Sequence, residues 1–247
     1  MGLRGEWIVP VNRPVAPVAS LFCFPYAGGG ASVYRAWSRL VSPAVELLAV
    51  QPPGREDRFG EAPLTDRREY VALAAQAIAQ RATRPFALFG HSLGAIVAYE
   101  VADSLSARGL HAKLLLASAH QAPGVASPRA PIAHLPDEAF LAEVARYNGT
   151  PADVLEHREL LDLLLPVLRA DFALSERQPS APSPEFTIPI VALGAHSDPW
   201  LDASALERWR HATRAAFAAH WFDGDHFYLV PQREALVAFV ERQLLAG

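Results

Sequence analysis

Sulfur and lysine are almost missing from this 247-residue chain. The single cysteine, Cys23, excludes an internal disulfide framework and any thiolate-rich zinc site. Among 22 basic residues Lys113 is the only lysine. Net positive charge is lacking as well. At a formal −4 the chain has no overall field to draw in nucleic acid or an anionic membrane, so neither is expected as a partner. No run of 18 apolar residues occurs, which excludes a bilayer-spanning helix. Met1–Pro17 has no apolar core of the signal-peptide kind, so the expected location is the cytoplasm. What is present is apolar: 51% of residues are hydrophobic and 19% charged, which excludes a disordered chain. The length suits one large domain, 1–247.

Six short apolar runs read as strands: Ser20–Phe24, Val45–Val50, Pro85–Phe89, Lys113–Ser118, Ile188–Leu193 and Ala219–Phe222. They are near-continuous rather than alternating, the pattern of strands buried on both faces. Helical segments fall between them. Ser32–Val41 is the first. Asp66–Ala82 opens with Asp66 and Glu69 at capping-box spacing. Leu93–Arg108 closes at Gly109. Ala203–Ala216 and Glu234–Leu245 complete the set. Strand then helix, repeated, predicts an α/β fold with a parallel sheet covered on both faces. Residues 122–186 break the rhythm. They hold no strand candidate and three helical pieces, Asp137–Tyr147, Ala152–Leu165 and Val167–Arg177, the last two parted by Pro166. A Pro/Ser stretch, Pro179–Pro184, follows. This segment reads as a helical insertion over the sheet.

The strongest chemical signal is Gly90-His91-Ser92-Leu93-Gly94, set between a strand and a helix. A serine on such a sharp turn has its hydroxyl lifted above the sheet edge, and the glycines on either side remove clashes. The next amide, Leu93 N–H, stands at a helix N-terminus, where a developing oxyanion is favoured. A nucleophilic serine needs a base, and the base needs an orienting acid. Of nine histidines, His226 is the last and follows the last strand in Asp223-Gly224-Asp225-His226-Phe227. His91 reads as a packing residue, and His120 and His196 stand near strand ends. For the acid, Asp198 lies just past the strand Ile188–Leu193, at the edge where binding sites of open parallel sheets gather. The preceding strand ends in Ser118-Ala119-His120 with no carboxylate. Asp202 reads as a helix N-cap, and Asp225 adjoins the histidine itself; both remain rivals. A second oxyanion donor is expected from Phe24-Pro25-Tyr26-Ala27-Gly28-Gly29-Gly30, with the Ala27 N–H as the choice. Arg169 and Asp171 read as a structural pair. Cys23 reads as a small buried residue, and Trp200 either walls the pocket or packs.

Taken together, these stretches resemble a known family. The loop at 24–30, Pro53-Gly54-Arg55-Glu56-Asp57-Arg58, the serine elbow, Gly149-Thr150-Pro151, Leu165-Pro166-Val167-Leu168-Arg169-Ala170-Asp171-Phe172 and Gly224-Asp225-His226-Phe227 are similar to the external (type II) thioesterases of polyketide and nonribosomal peptide synthesis. The similarity runs from about residue 20 to the end. It implies an α/β-hydrolase fold, mostly parallel sheet, with a helical lid. It implies hydrolysis of acyl groups from the phosphopantetheine arm of acyl or peptidyl carrier proteins, the editing of misprimed or stalled synthases. It also implies a triad of Ser92, Asp198 and His226, oxyanion donors at Ala27 and Leu93, and no metal or cofactor beyond the arm the substrate brings. Two departures, Gln51-Pro52-Pro53 before Gly54 and Ser175-Glu176-Arg177-Gln178 at the lid end, bear on pocket shape. Rival readings are a carboxylesterase, an excised terminal thioesterase, or an idle carrier-binding protein.

Overall fold

A computed structural model describes residues 6–147, 157–177 and 181–246. Seven strands form one sheet: β1 (Ile8–Pro10), β2 (Ala19–Phe24), β3 (Val45–Val50), β4 (Phe86–His91), β5 (Leu114–Ser118), β6 (Ile190–Ala195) and β7 (Phe217–Phe222). Their order is β1-β3-β2-β4-β5-β6-β7. All neighbours are parallel except β1 with β3. The chain winds outward from β2 to β3 and then returns to lay β4 on the other side of β2, so strand order reverses there. Crevices at such a reversal, beyond the carboxyl ends of the strands, are where open α/β sheets bind ligands. Register brings three strands to that rim together, because Phe24 pairs with Gly90 and His91 with Ser118.

The strands are mainly apolar because alternate residues enter two separate cores. Phe22, Phe24, Leu88, Leu115 and Ile190 pack with α1 (Arg67–Arg81) and α2 (Leu93–Ser106). Leu21, Cys23, Phe89, Leu116 and Val191 face the other way, onto Tyr34, Trp37 and α6 (Arg233–Leu245). Cys23 is fully buried in the second core, and burial pushes its thiol pKa up.

Several local expectations shift. The first helical segment forms 3-10 turns over Ala31–Arg39. Asp66 caps α1 by accepting from the Arg68 N–H at 2.8 Å, one residue earlier than a capping box places it. Gly109 follows α2 with φ +78°. The segment after β6 gives a short α5 (Ala203–Glu207) and then 3-10 turns to Ala212.

Between β5 and β6 the described residues hold α3 (Asp137–Ala145) and α4 (Arg158–Glu176) and no strand. Helix α4 runs unbroken through Pro166, contrary to the expected division there. A mid-helix proline costs roughly 3 kcal/mol. Pro166 is on the exposed side, while Leu161, Val167, Leu168 and Phe172 are buried. At about 1.5–3 kcal/mol per buried side chain, that packing outweighs the proline. Gly149-Thr150-Pro151, the start of the helix expected at 152–165, Gln178 and Pro179 lie outside the described residues.

Candidate active site

The site starts from a strained turn. Ser92, between β4 and α2, has φ +54° and ψ −124°, a backbone state that costs an ordinary residue on the order of 1–3 kcal/mol. The flanking glycines make the turn possible. A methyl group at Gly90 would lie 2.0 Å from the Gly94 carbonyl oxygen, and one at Gly94 would lie 2.3 Å from the Phe24 carbonyl oxygen. The second contact also shows that the start of α2 abuts the loop after β2, backbone to backbone. The Ser92 N–H donates to the Ser118 carbonyl at 2.8 Å, tying the elbow to β5.

His226 comes to this serine from the loop after β7. Its Nε2 lies 3.1 Å from the Ser92 Oγ and its Nδ1 lies 2.8 Å from the Asp198 Oδ2. The carboxylate is fixed in turn, since Asp198 Oδ1 accepts from the Trp200 N–H at 3.0 Å. The two loops are stitched to each other: the Ser197 N–H donates to the Gly224 carbonyl at 2.9 Å, and the His196 N–H to the Phe222 carbonyl at 3.0 Å. Asp198 and His226 are both buried. The rival acids have other work. Asp202 caps α5, accepting from the Ala205 N–H, and Asp225 accepts from the Phe227 N–H within its own turn.

The other expected residues also resolve. Leu93 opens α2, where first-turn amides lack intrahelical acceptors. Ala27 lines a cavity of about 50 Å³ with Ser92, His226, Leu168, Phe172 and Phe227. A larger cavity of about 280 Å³ meets it at Ser92 and is walled by His120, Gln121, Arg129, Phe172 and Trp200 among others. Trp200 therefore walls the pocket. Arg129 lies between two aromatic rings, 3.7 Å from the Tyr147 centroid and 4.2 Å from that of Trp200. His120 is half-buried in the pocket wall, and desolvation lowers its pKa to about 4. His196 is exposed and stacks on Trp221.

His91 packs as expected, within a network that also engages Tyr228, a residue no motif had marked. His91 Nδ1 lies 2.8 Å from the Ser118 Oγ, which lies 2.6 Å from the Tyr228 hydroxyl. Burial, and then the neighbouring His226, hold the His91 pKa well below its usual value, so the ring stays neutral. The network pins β4, β5 and the His226 loop beneath the triad without touching the serine hydroxyl.

One expected pairing is wrong. Asp171 does not pair with Arg169. Arg169 bonds to Asp137 at 2.6 Å and to the carbonyls of Ala133 and Leu135. Asp171 instead takes both terminal guanidinium nitrogens of Arg55, 116 residues away in the chain, and accepts from the Gly28 N–H at 2.7 Å. Residues two apart on a helix face different directions, so Arg169 and Asp171 have no geometry for a bond.

A serine, an imidazole and a carboxylate in this order, on this sheet, define a serine hydrolase of the α/β-hydrolase class. Among the described residues no group of three or more His, Cys, Asp or Glu is placed to hold a metal ion. Residues 19–244 match the family model described as "Thioesterase domain". The chain is 36% identical over 240 residues to the gramicidin S biosynthesis protein GrsT of Aneurinibacillus migulanus, covering 97% of this chain and 94% of that one. It is 38% identical to the thioesterase PikA5 of Streptomyces venezuelae, covering 98% and 86%. The solved type II thioesterase BorB, from the borrelidin biosynthetic cluster, superposes with a TM-score of 0.88 at 33% identity, covering 99% and 100%. The chain belongs to the thioesterase family, in the type II group of polyketide and nonribosomal peptide synthesis, and is a thioester hydrolase. Among the described residues no helix is long and apolar enough to cross a membrane.

Proposed function

We propose that this enzyme removes acyl groups from the phosphopantetheine arm of acyl or peptidyl carrier proteins, through an acyl-serine intermediate on Ser92. The observation that carries this reading is His226, bonded to the serine hydroxyl by one ring nitrogen and to Asp198 by the other. His226 takes the Ser92 proton as the hydroxyl attacks the thioester carbonyl. Asp198 holds the tautomer that leaves Nε2 free to accept, and stabilises the imidazolium. The oxyanion rests on the Ala27 and Leu93 N–H groups, each such donor worth about 3 kcal/mol. The pantetheine sulfur leaves with the proton from His226. Water, deprotonated by the same ring, then attacks the acyl-serine and releases the acid. Each step is balanced by these side chains and water, so the reaction calls for no metal or redox cofactor. The carrier partner and the pathway role are carried over from the relatives' names, and the cytoplasm is the matching location. Within one domain, residues 122–186 act as the lid.

The test is release of short and long acyl groups from loaded carrier protein, beside p-nitrophenyl esters, by wild type and Ser92→Ala. Wild type should favour carrier thioesters. The variant should lose on the order of 10⁴-fold or more in turnover. A strong ester preference overturns the substrate assignment. Failure of a fluorophosphonate to label Ser92 in folded wild type favours an idle carrier-binding protein.

A further inference from the structure

The two most distinctive motifs in the sequence, around Arg55 and around Asp171, are far from the triad in the chain and contribute no reacting group. In the structure they meet at one point, and that point is the loop holding Ala27. Asp171 stands on α4, in the lid. Its Oδ2 accepts the Gly28 N–H at 2.7 Å and also binds an Arg55 nitrogen, while its Oδ1 binds the other at 2.9 Å. Arg55 continues the tie, donating to the Gly29 carbonyl at 3.1 Å and the Pro53 carbonyl at 3.2 Å. The pair is almost wholly buried, with side-chain exposures of 6% and 2%. Close packing repeats the connection. A methyl group at Gly28 would lie 2.6 Å from Leu168 Cδ2, so the lid helix rests directly on this glycine. Gly28 has φ +81°, and its N–H belongs to the peptide unit immediately after the Ala27 amide.

We propose that Asp171 is a positioning residue that makes the oxyanion hole depend on the seated lid. The reading rests on Ala27 as an oxyanion donor. With α4 docked, the carboxylate fixes the Gly28 N–H, and with it the orientation of the adjoining Ala27 peptide. With α4 displaced, the acceptor leaves with it, and a glycine-rich loop has wide freedom to turn its amides elsewhere. Substrate enclosure and electrophilic activation then arrive together, which confines fast acyl transfer from the thioester to the closed enzyme. Of the two motifs, one supplies the guanidinium that holds the carboxylate and the other supplies the carboxylate.

The decisive comparison uses paired variants in the full-length enzyme, because removing one member of a buried ion pair destabilises by leaving the other uncompensated. Arg55→Met with Asp171→Val removes both charges and nearly keeps the pair's volume, but gives Gly28 no acceptor. Asp171→Asn loses the ion pair and keeps an oxygen for the Gly28 N–H. We expect the double variant to fold with a thermal midpoint near wild type yet lose about 10- to 100-fold in kcat, with KM changed less than about threefold. Binding of a boronic acid, which becomes a tetrahedral anion on adding the Ser92 oxygen and so reports the oxyanion hole, should weaken in parallel. Asp171→Asn should keep kcat within about fivefold of wild type. If the double variant is folded and its kcat falls less than tenfold, the contact is structural only and the proposal is overturned. If the double variant does not fold, Asp171→Asn against Asp171→Ala decides, equal kcat losses in the two overturning the proposal. Inactivity of wild type on thioesters would instead refute the proposed function, so the two failures are distinguishable.

Discussion

At the carboxyl rim of the sheet, His91, Ser118, Asp198 and His226 are buried and every one is bonded to a neighbouring strand or loop. In the insertion above, Ile132, Phe140, Val144, Leu168 and Phe172 form a small core of their own, and Leu160 and Leu163 are about half exposed at 45% and 52%. The rim is over-determined, which is what a strained nucleophile and a three-group proton path require. The lid is held by a small core and a few polar ties, among them Glu176 accepting from the Ile132 N–H at 2.7 Å. A surface of low local stability is what a closing element is drawn from. The proposed chemistry and the proposed enclosure thus fall to regions of different firmness.

That contrast breaks most sharply at Asp198. Asp198→Asn removes the orienting charge with almost no change of shape. Turnover should fall by roughly 10³- to 10⁴-fold, and fluorophosphonate labelling of Ser92 should slow with it, while the thermal midpoint stays near that of wild type. A loss below tenfold would show that the rim does not need this acid. Next in size is acid. His91 and His120 have folded pKa values depressed by burial, the latter to about 4 against an ordinary 6.5. Below about pH 6.5 the unfolded chain binds protons that these two rings refuse. Stability is therefore full above that pH and falls by roughly 1.4 kcal/mol per unit for each ring as pH drops, the His120 share ending near 4. Urea unfolding at pH 7, 6 and 5 checks the slope, and His120→Asn should make it shallower. A flat profile over that range would mean the rings are not held neutral at the rim. The smallest effect belongs to the lid. Pro166→Ala restores a donor on the exposed side of α4 and should slow amide exchange there by about 1–3 kcal/mol, leaving global unfolding nearly unchanged. Faster exchange would mean the proline holds a bend that the packing needs.

The same division explains what could be read from sequence. Five of the parallel strands were legible because each is buried on both faces, and the sixth, the edge strand β7, because it is an apolar run of the same kind although mostly half-buried. The elbow, the acid and the base were legible because each follows a strand that ends at the shared rim. Strand β1 escaped because three half-buried residues ending in Pro10 carry no periodicity, and only its register with β3 makes it a strand. The continuity of α4 escaped because propensity at Pro166 points the other way and tertiary burial decides. Asp171 has an arginine two residues away in sequence, but its partner is 116 residues away. Gln51, a departure from the family pattern, has a local use that spacing does not reveal. It accepts the Ala31 N–H at 2.6 Å and donates to the Arg55 carbonyl at 3.0 Å, joining the two loops beneath the lid.

Cys23 gives the molecule a built-in timer. Its thiol sits in the central strand β2 with no exposed surface, and the sequence offers no other. Alkylating reagents meet it only when the turns bearing Tyr34 and Trp37, or α6, lift from that face of the sheet, so modification rate counts openings of the second core and ignores excursions of the insertion on the other side.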